Sequence, residues 1–107
     1  MSNYRLSVPE RVARATPFLV RLIIQHPMET GFRLDAAGAA ITKNLISEIV
    51  CRLDGAEVLR MELSSGITAN PLFEFYAVAD KNCELVVEWQ DDSGVHASAR
   101  ANVQVAD

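Results

Sequence analysis

Apolar and polar residues alternate with a period of two over most of the chain, which is the pattern of β-strands with one buried face. Turn residues separate short segments of this kind, with no repeat and no linker, so we expect one domain over residues 1–107. Such spacing is typical of an antiparallel β-sandwich of about seven strands. The predicted strands are Tyr4–Val8, Phe18–Gln25, Asn44–Leu53, Glu57–Leu63, Leu72–Ala79, Cys83–Gln90 and Val95–Val105.

The strongest hairpin signal lies in the middle of the chain. Alternate residues of Asn44–Leu53 share one face, and Asp54-Gly55 supplies the positive φ angles of a two-residue turn. A helix over Ala36–Ile49 is the alternative, but the β-branched residues and the Asp-Gly turn argue against it. We therefore expect residues 27–42 to form a long irregular loop, and Ser64–Asn70 a second loop.

Phe18–Gln25 is more apolar than a one-sided strand needs to be. It is a run rich in β-branched residues, which predicts a central strand covered on both faces. The run ends at His26-Pro27, because proline restrains the residue before it and cannot donate to a β-ladder.

Leu72–Ala79 is also apolar on both sides, although a single sandwich needs only one dry face per strand. The surplus either covers a loop or binds a partner, and the pattern does not separate the two. One side carries Leu72, Tyr76 and Val78, and the other carries Phe73, Phe75 and Ala77.

Composition excludes several classes of protein. Half of the residues are apolar and the formal net charge is −4, unlike a disordered tail or a basic nucleic-acid binder. The longest apolar run is too short to cross a membrane and contains Arg21. The first residues lack the features of a secretory signal, so the residues alone predict a cytosolic protein.

The residues that usually carry catalysis are sparse and scattered. His26 and His96 lie far apart, and no seryl-hydrolase motif accompanies them. Paired ligands with zinc spacing and glycine-rich phosphate loops are also missing from the sequence. These observations predict a protein without enzymatic activity, metal or cofactor.

Cys51 and Cys83 have three interpretations. Both lie on apolar faces of predicted strands, which favours small buried side chains. An intramolecular disulfide is the second interpretation and requires close Cα atoms on facing strands. The third is a bridge to a partner chain, which requires an exposed thiol.

Four stretches resemble the SoxZ family, a subunit of the bacterial sulfur-oxidation carrier complex, in order and spacing. They are His26–Asp35 (HPMETGFRLD), Ile46–Gly55, Gly66–Phe73 (GITANPLF) and Trp89–Gly94 (WQDDSG). The resemblance extends from about Tyr4 to Val105 and implies an immunoglobulin-like sandwich.

The resemblance also implies a partner. Members of the family form a heterodimer with SoxY, whose C-terminal Gly-Gly-Cys-Gly-Gly arm holds sulfur intermediates covalently on its cysteine. Other sulfur-oxidation enzymes dock transiently on the complex. The complex works in the periplasm, and the partner's twin-arginine signal exports both subunits. This chain ends Val103–Asp107 without a cysteine, so it is similar to the non-carrying subunit.

We therefore expect the signature loop, His26–Asp35, to bind the partner or to cap the sandwich; both interpretations stay open. Within it, Gly31 permits a turn, and Arg33 is expected to pair with Asp35. The candidate partner-binding residues are His26, Pro27, Met28, Glu29, Thr30, Gly31, Arg33, Asp35, Asn70, Leu72, Tyr76 and Val78.

Two rival functions are a free-standing immunoglobulin-like binding module and a redox protein acting through Cys51 or Cys83. The first predicts a monomer without a large apolar patch, and the second a thiol that reacts rapidly in the folded state. Self-association of the isolated chain is a further expectation if an apolar sheet is exposed.

Overall fold

The computed structural model describes residues 3–63 and 67–106, so part of the predicted loop Ser64–Asn70 lies outside the described residues. Strands, turns and loops make up these residues, and no helix among them is long and apolar enough to cross a membrane. The strands are β1 (Tyr4–Ser7), β2 (Val12–Ala13), β3 (Phe18–Ile24), β4 (Ile46–Leu53), β5 (Ala56–Glu62), β6 (Leu72–Ala77), β7 (Cys83–Asp91), β8 (His96–Val103) and β9 (Val105–Ala106).

Two antiparallel sheets form the sandwich. One has the strand order β1-β3-β6 and the other β5-β4-β7-β8. A short parallel pair, β2 with β9, adds a third small sheet. The all-β, immunoglobulin-like sandwich expected from the strand pattern is confirmed.

The core lies between the inner faces of the two sheets. Val20, Leu22 and Ile24 of β3 are fully buried, as are Leu85 and Val87 of β7 on the opposite sheet. Alternate residues of each strand point inward, which is why a period of two predicts these elements.

The β4–β5 hairpin has the predicted two-residue turn. Asp54 and Gly55 have φ angles of 53° and 81°, and Leu53 pairs with Ala56 across the turn. Positive φ at both central residues is the geometry that matches the twist of the two strands. The prediction of a tight Asp-Gly hairpin is confirmed.

The prediction that β3 is covered on both faces is wrong for the chain by itself. Val20 and Leu22 are buried, but Arg21 and Ile23, between and after them, are exposed. The four-stranded sheet packs against the inner face of the three-stranded sheet, and no layer of the described chain covers the outer face. The apolar residues on the outer side of β3 therefore meet solvent.

The predicted last strand, Val95–Val105, is interrupted. β8 ends at Val103, and Val105 pairs instead with Val12 of β2, a strand that the pattern did not predict. Two residues are too few to show a period, and a parallel pairing between distant ends has no local turn signal.

The predicted irregular loop 27–42 belongs to a hairpin-like arm, residues 29–44. Glu29 and Asn44 form a bridge at its base, with two backbone hydrogen bonds of 2.8 Å, and Leu34 and Ala40 form a second bridge.

The molecule is elongated: its Cα radius of gyration is 16.1 Å, whereas about 13 Å is usual for a compact domain of this length.

Candidate partner-binding site

The outer side of the three-stranded sheet carries an apolar surface that nothing in the described chain covers. We call it the apolar face; its residues are Leu19, Ile23, Leu72 and Tyr76. Cross-strand pairing places Leu19 beside Tyr76, and Ile23 beside Leu72. The exposed fractions are 42% for Ile23, 46% for Leu72 and 71% for Tyr76.

One ion pair lies between the apolar residues. Arg21 of β3 faces Glu74 of β6, and the guanidinium Nε is 3.0 Å from the carboxylate Oε2. Because each charge is neutralised by the other within the chain, a partner needs no charge of its own opposite this pair. The predicted residues Leu72 and Tyr76 thus lie together on one exposed surface, whereas Val78 lies beside Leu53 and Val58 of the β4–β5 hairpin.

The outer side of the four-stranded sheet has the opposite character. Arg100 pairs with Glu84 at 2.7 Å, Arg60 with Glu48 at 2.8 Å, and Arg52 with Glu88. We call this surface the charged face. Exposed ion pairs of this kind add little stability but keep a sheet face hydrated. The contrast identifies the three-stranded sheet as the one with an uncovered apolar face.

His26, the first residue of the signature loop, is buried and fully hydrogen-bonded. Its Nε2 is 3.1 Å from Oδ2 of Asp91, and its Nδ1 accepts from the backbone N–H of Met28 at 3.0 Å. Since Nδ1 accepts, the ring proton of the neutral imidazole lies on Nε2 and is donated to Asp91. The side chain of His26 therefore holds the loop to the end of β7.

Two further residues fix the same corner. Met28 is buried, with φ of 49°, and its Sδ lies 3.4 Å from the backbone N–H of Ile46. Asn70, with φ of 51°, accepts the His26 N–H on Oδ1 at 3.0 Å and donates its own N–H to the His26 carbonyl. These bonds join the base of the arm to β4 and to the segment before β6.

Asp91 is the acceptor at the centre of this cluster. Its Oδ1 accepts from the N–H groups of Ser93 and Val95, each at 3.0 Å, and from the Ser93 hydroxyl at 2.6 Å. Burial alone would raise the pKa of Asp91, but the hydrogen bonds from Ser93, Val95 and His26 outweigh it and lower that pKa. The carboxylate is thus held ionised as a structural anchor.

The polar residues of the arm pair differently from the prediction. Arg33 bonds to Glu29, not to Asp35, through its Nε at 3.2 Å and through Nη2. Asp35 instead accepts the N–H groups of Ala37 and Ala39, at 2.9 and 3.0 Å. A short aspartate side chain reaches its own turn more easily than a neighbour two residues away. The hydrogen bond from Arg33 lowers the pKa of Glu29.

The remaining predicted loop residues lie at or near the surface of the arm. Pro27 is exposed, and Thr30 accepts the N–H of Phe32 on its hydroxyl at 3.4 Å. Gly31 has φ of 93°, and a Cβ there would lie 3.3 Å from Cβ of Lys43. The position therefore requires glycine for its backbone angle and for the close approach of the other arm strand.

Sequence reasoning missed the apolar side chains of the arm and the acceptor at the corner. Phe32 is 88% exposed and Leu34 is 61% exposed. The signal that could have found them is an aromatic and an aliphatic residue inside a segment predicted to be an irregular loop. The Trp89–Gly94 string carried Asp91, but nothing local indicated that it contacts His26, 65 residues earlier.

Both cysteines are free thiols, so the possible disulfide between Cys51 and Cys83 is absent from the structure. Cys51 pairs with Val87 on β7, four residues along that strand from Cys83, which is about 13 Å at strand spacing and too far for a bridge. Burial raises the pKa of Cys51 to about 11. Burial and the nearby Asp54 carboxylate raise the pKa of Cys83.

The family that the described motifs resemble is also found by comparison. The sequence profile described as "Sulphur oxidation protein SoxZ" matches residues 6–102. The chain belongs to the SoxZ family. Members of this family act in sulfur oxidation, so this chain is a sulfur-oxidation protein. No curated protein matches it at a significant level.

Solved structures share the fold of this SoxZ chain. A superoxide reductase (neelaredoxin) from Ignicoccus hospitalis has a TM-score of 0.73 at 22% identity, covering 96% of this chain and 80% of that one. A candidate superoxide reductase from Thermotoga maritima has a TM-score of 0.73 at 13% identity, covering 97% and 86%. At these identities the likeness shows the fold alone.

Proposed function

We propose that this SoxZ chain is the scaffold subunit of a thiosulfate-oxidation carrier. It binds a SoxY-type subunit as a heterodimer and presents it to the enzymes that act on the sulfur held by the partner's C-terminal cysteine. The chain itself contributes a surface and no catalysis. The observation that carries this proposal is the apolar face on the outer side of β3 and β6.

The apolar face is better suited to burial by a permanent partner than to exposure to water. The sequence of β3 is typical of a strand that is buried on both faces, but the chain itself buries only the inner face. Exposed aromatic and aliphatic side chains at the centre of a patch are the usual anchors of an interface. A stable heterodimer buries roughly 800 Å² or more per partner; strands β3 and β6 supply the centre of such an area.

The arm is a second surface for the proposed complex. Phe32 and Leu34 are exposed on the arm, whose base His26 and Met28 hold in place. We assign the exposed residues of the arm to the transient docking of other sulfur-oxidation enzymes, because loops on rigid scaffolds commonly carry such contacts. The complex works in the periplasm after export together with the SoxY-type partner.

Co-expression with a SoxY-type chain tests the proposal. The two chains should elute together in size-exclusion chromatography at micromolar concentration. Tyr76→Lys places an ammonium on the apolar face and should separate them. Ser98→Lys is the matched control: it places the same group at an exposed strand position of the charged face, beside Glu88, and should leave the complex intact.

Separate elution of the two unsubstituted chains contradicts the proposal. Equal effects of the two lysine substitutions, with both variants folded by circular dichroism, contradict the assignment of the apolar face. Turnover of a sulfur compound by the purified chain alone contradicts the statement that it contributes no catalysis.

A further inference from the structure

β6 is an edge strand with an unprotected edge. Among the described strands it pairs with β3 alone, so one side of its backbone has no neighbour. We propose that the SoxY-type subunit adds a β-strand to this edge and extends the three-stranded sheet into the partner. This inference rests on the proposed function and specifies how the partner is bound.

The backbone groups on the free side are identified by the hydrogen-bond pattern. The N–H of Ile24 donates to the Pro71 carbonyl at 3.1 Å, which makes that pair a hydrogen-bonded one. Hydrogen-bonded and non-bonded pairs alternate along an antiparallel ladder. The N–H and C=O groups of Leu72, Glu74 and Tyr76 consequently point away from β3, toward the open edge.

Two of the other edges of the larger sheets, β5 and β1, carry features that hinder strand addition. β5 has a register shift opposite Cys51 and Arg52, with Glu57, Arg60 and Glu62 exposed along it. Bulges and charged side chains are the usual protection of an edge. β1 has only four residues and contacts β8 of the opposite sheet.

β6 has fewer of these features. Its sequence, LFEFYA, contains no proline and no cation, and its ladder with β3 has no register shift. Its one charge, on Glu74, is neutralised by Arg21. A mostly apolar edge strand whose one charge is already paired is a template for pairing with another chain.

The chemistry of the occupant follows from the side chains beside the edge. A strand added to β6 places alternate residues next to Leu72 and Tyr76 on the apolar face, so those residues should be aliphatic or aromatic. Arg5, which faces Ile23 across β1 and β3, is the one cation of this outer side besides Arg21 among the described residues. It favours a carboxylate on the partner surface that covers the far end of the sheet.

Amide hydrogen exchange in the free chain and in the complex tests the strand addition. The amides of Leu72, Glu74 and Tyr76 should exchange fast in the free chain and slowly in the complex. Those of Phe73 and Phe75, already bonded to β3, should be slow in both. Exchange of the first three amides at the free-chain rate within an intact complex overturns strand addition and leaves the proposed heterodimer standing.

A proline series gives a second, independent measurement. Tyr76→Ala removes the ring and keeps the outward N–H, whereas Tyr76→Pro removes both. We expect Tyr76→Pro to bind the partner at least roughly tenfold more weakly than Tyr76→Ala, as for one lost hydrogen bond. Glu62→Pro is the control, because it removes an outward N–H from the β5 edge and should not affect binding.

Three results separate the possible failures. Equal affinities for Tyr76→Pro and Tyr76→Ala overturn strand addition. No complex with the unsubstituted chain overturns the proposed function instead. A homodimer of this chain that protects the same three β6 amides without any partner overturns the choice of occupant, since two copies of β6 would then pair with each other.

Discussion

Replacing Asp91 with asparagine tests whether the buried cluster at the base of the arm stabilises the fold. The carboxamide keeps one oxygen for Ser93 and Val95, but its NH₂ group faces the Nε2–H of His26. The imidazole cannot turn its lone pair toward that group, because Nδ1 already accepts from Met28. Two donors then face each other in a site where the side chains are 6% and 8% exposed.

The expected cost follows from the bond that is lost. A buried hydrogen bond to a charged group contributes about 1.5–3 kcal/mol, so Asp91→Asn should lower the free energy of unfolding by about 2 kcal/mol at pH 7. For a domain of this size that is roughly 10 °C in Tm. The folded-state pKa of Asp91 is lowered, so this stability is fully present above the ordinary value of 3.8. It is lost as the pH falls through the lower folded pKa.

Urea unfolding followed by the fluorescence of Trp89, the single tryptophan, measures the difference. Asp80→Asn is the control, because Asp80 is exposed. In Asp91→Asn the amides of Glu29 and Asn44, which bond each other across the base of the arm, should also exchange faster. Equal stability of the two variants at pH 7 would refute the anchoring role, as would a difference that widens below pH 3.8.

Three further predictions address the arm and the thiols. Gly31→Ala should lower the free energy of unfolding by about 1–2 kcal/mol because of its positive φ. The loss should exceed that of Gly38→Ala: both glycines have a positive φ, but only the new Cβ at position 31 meets a neighbour, Cβ of Lys43 at 3.3 Å. Thermal unfolding compares the two variants. Phe32→Ser should leave Tm unchanged and weaken the docking of sulfur-oxidation enzymes on the heterodimer, as measured by titration. Cys83 should react slowly with a thiol reagent at pH 7, and Cys51 only after unfolding; fast reaction of either would favour a redox role.

The strands of the sandwich were predictable because their signals are local. The β4–β5 hairpin needed only alternation and Asp54-Gly55, and β7 needed only its own period of two. The β2–β9 pair was missed because its two partners lie at opposite ends of the chain. The arm was read as irregular because two isolated bridges leave no repeating pattern to detect.

The candidate site was predictable in its parts but not in its contacts. The sequence indicated Tyr76 and its neighbours as surplus apolar residues, and the structure places them on one face. The partner of His26 was not predictable, because a hydrogen bond between residues far apart in sequence depends on how the sheets pack. Arg33 was given the wrong partner for a related reason: local spacing favoured Asp35, while the arm geometry brings Glu29 closer.

The two outer faces of the sandwich differ in how they meet water. The charged face meets water through paired side chains, so it has no need of a cover. Arg21 and Glu74 interrupt the apolar face, and both remain about half exposed while they pair with each other. Because that pair is satisfied internally, binding a partner does not require breaking it. A partner that buries Leu72 and Tyr76 therefore gains apolar contact while the Arg21–Glu74 pair stays intact, and Arg5 beside Ile23 is the charge that such a partner has to pair.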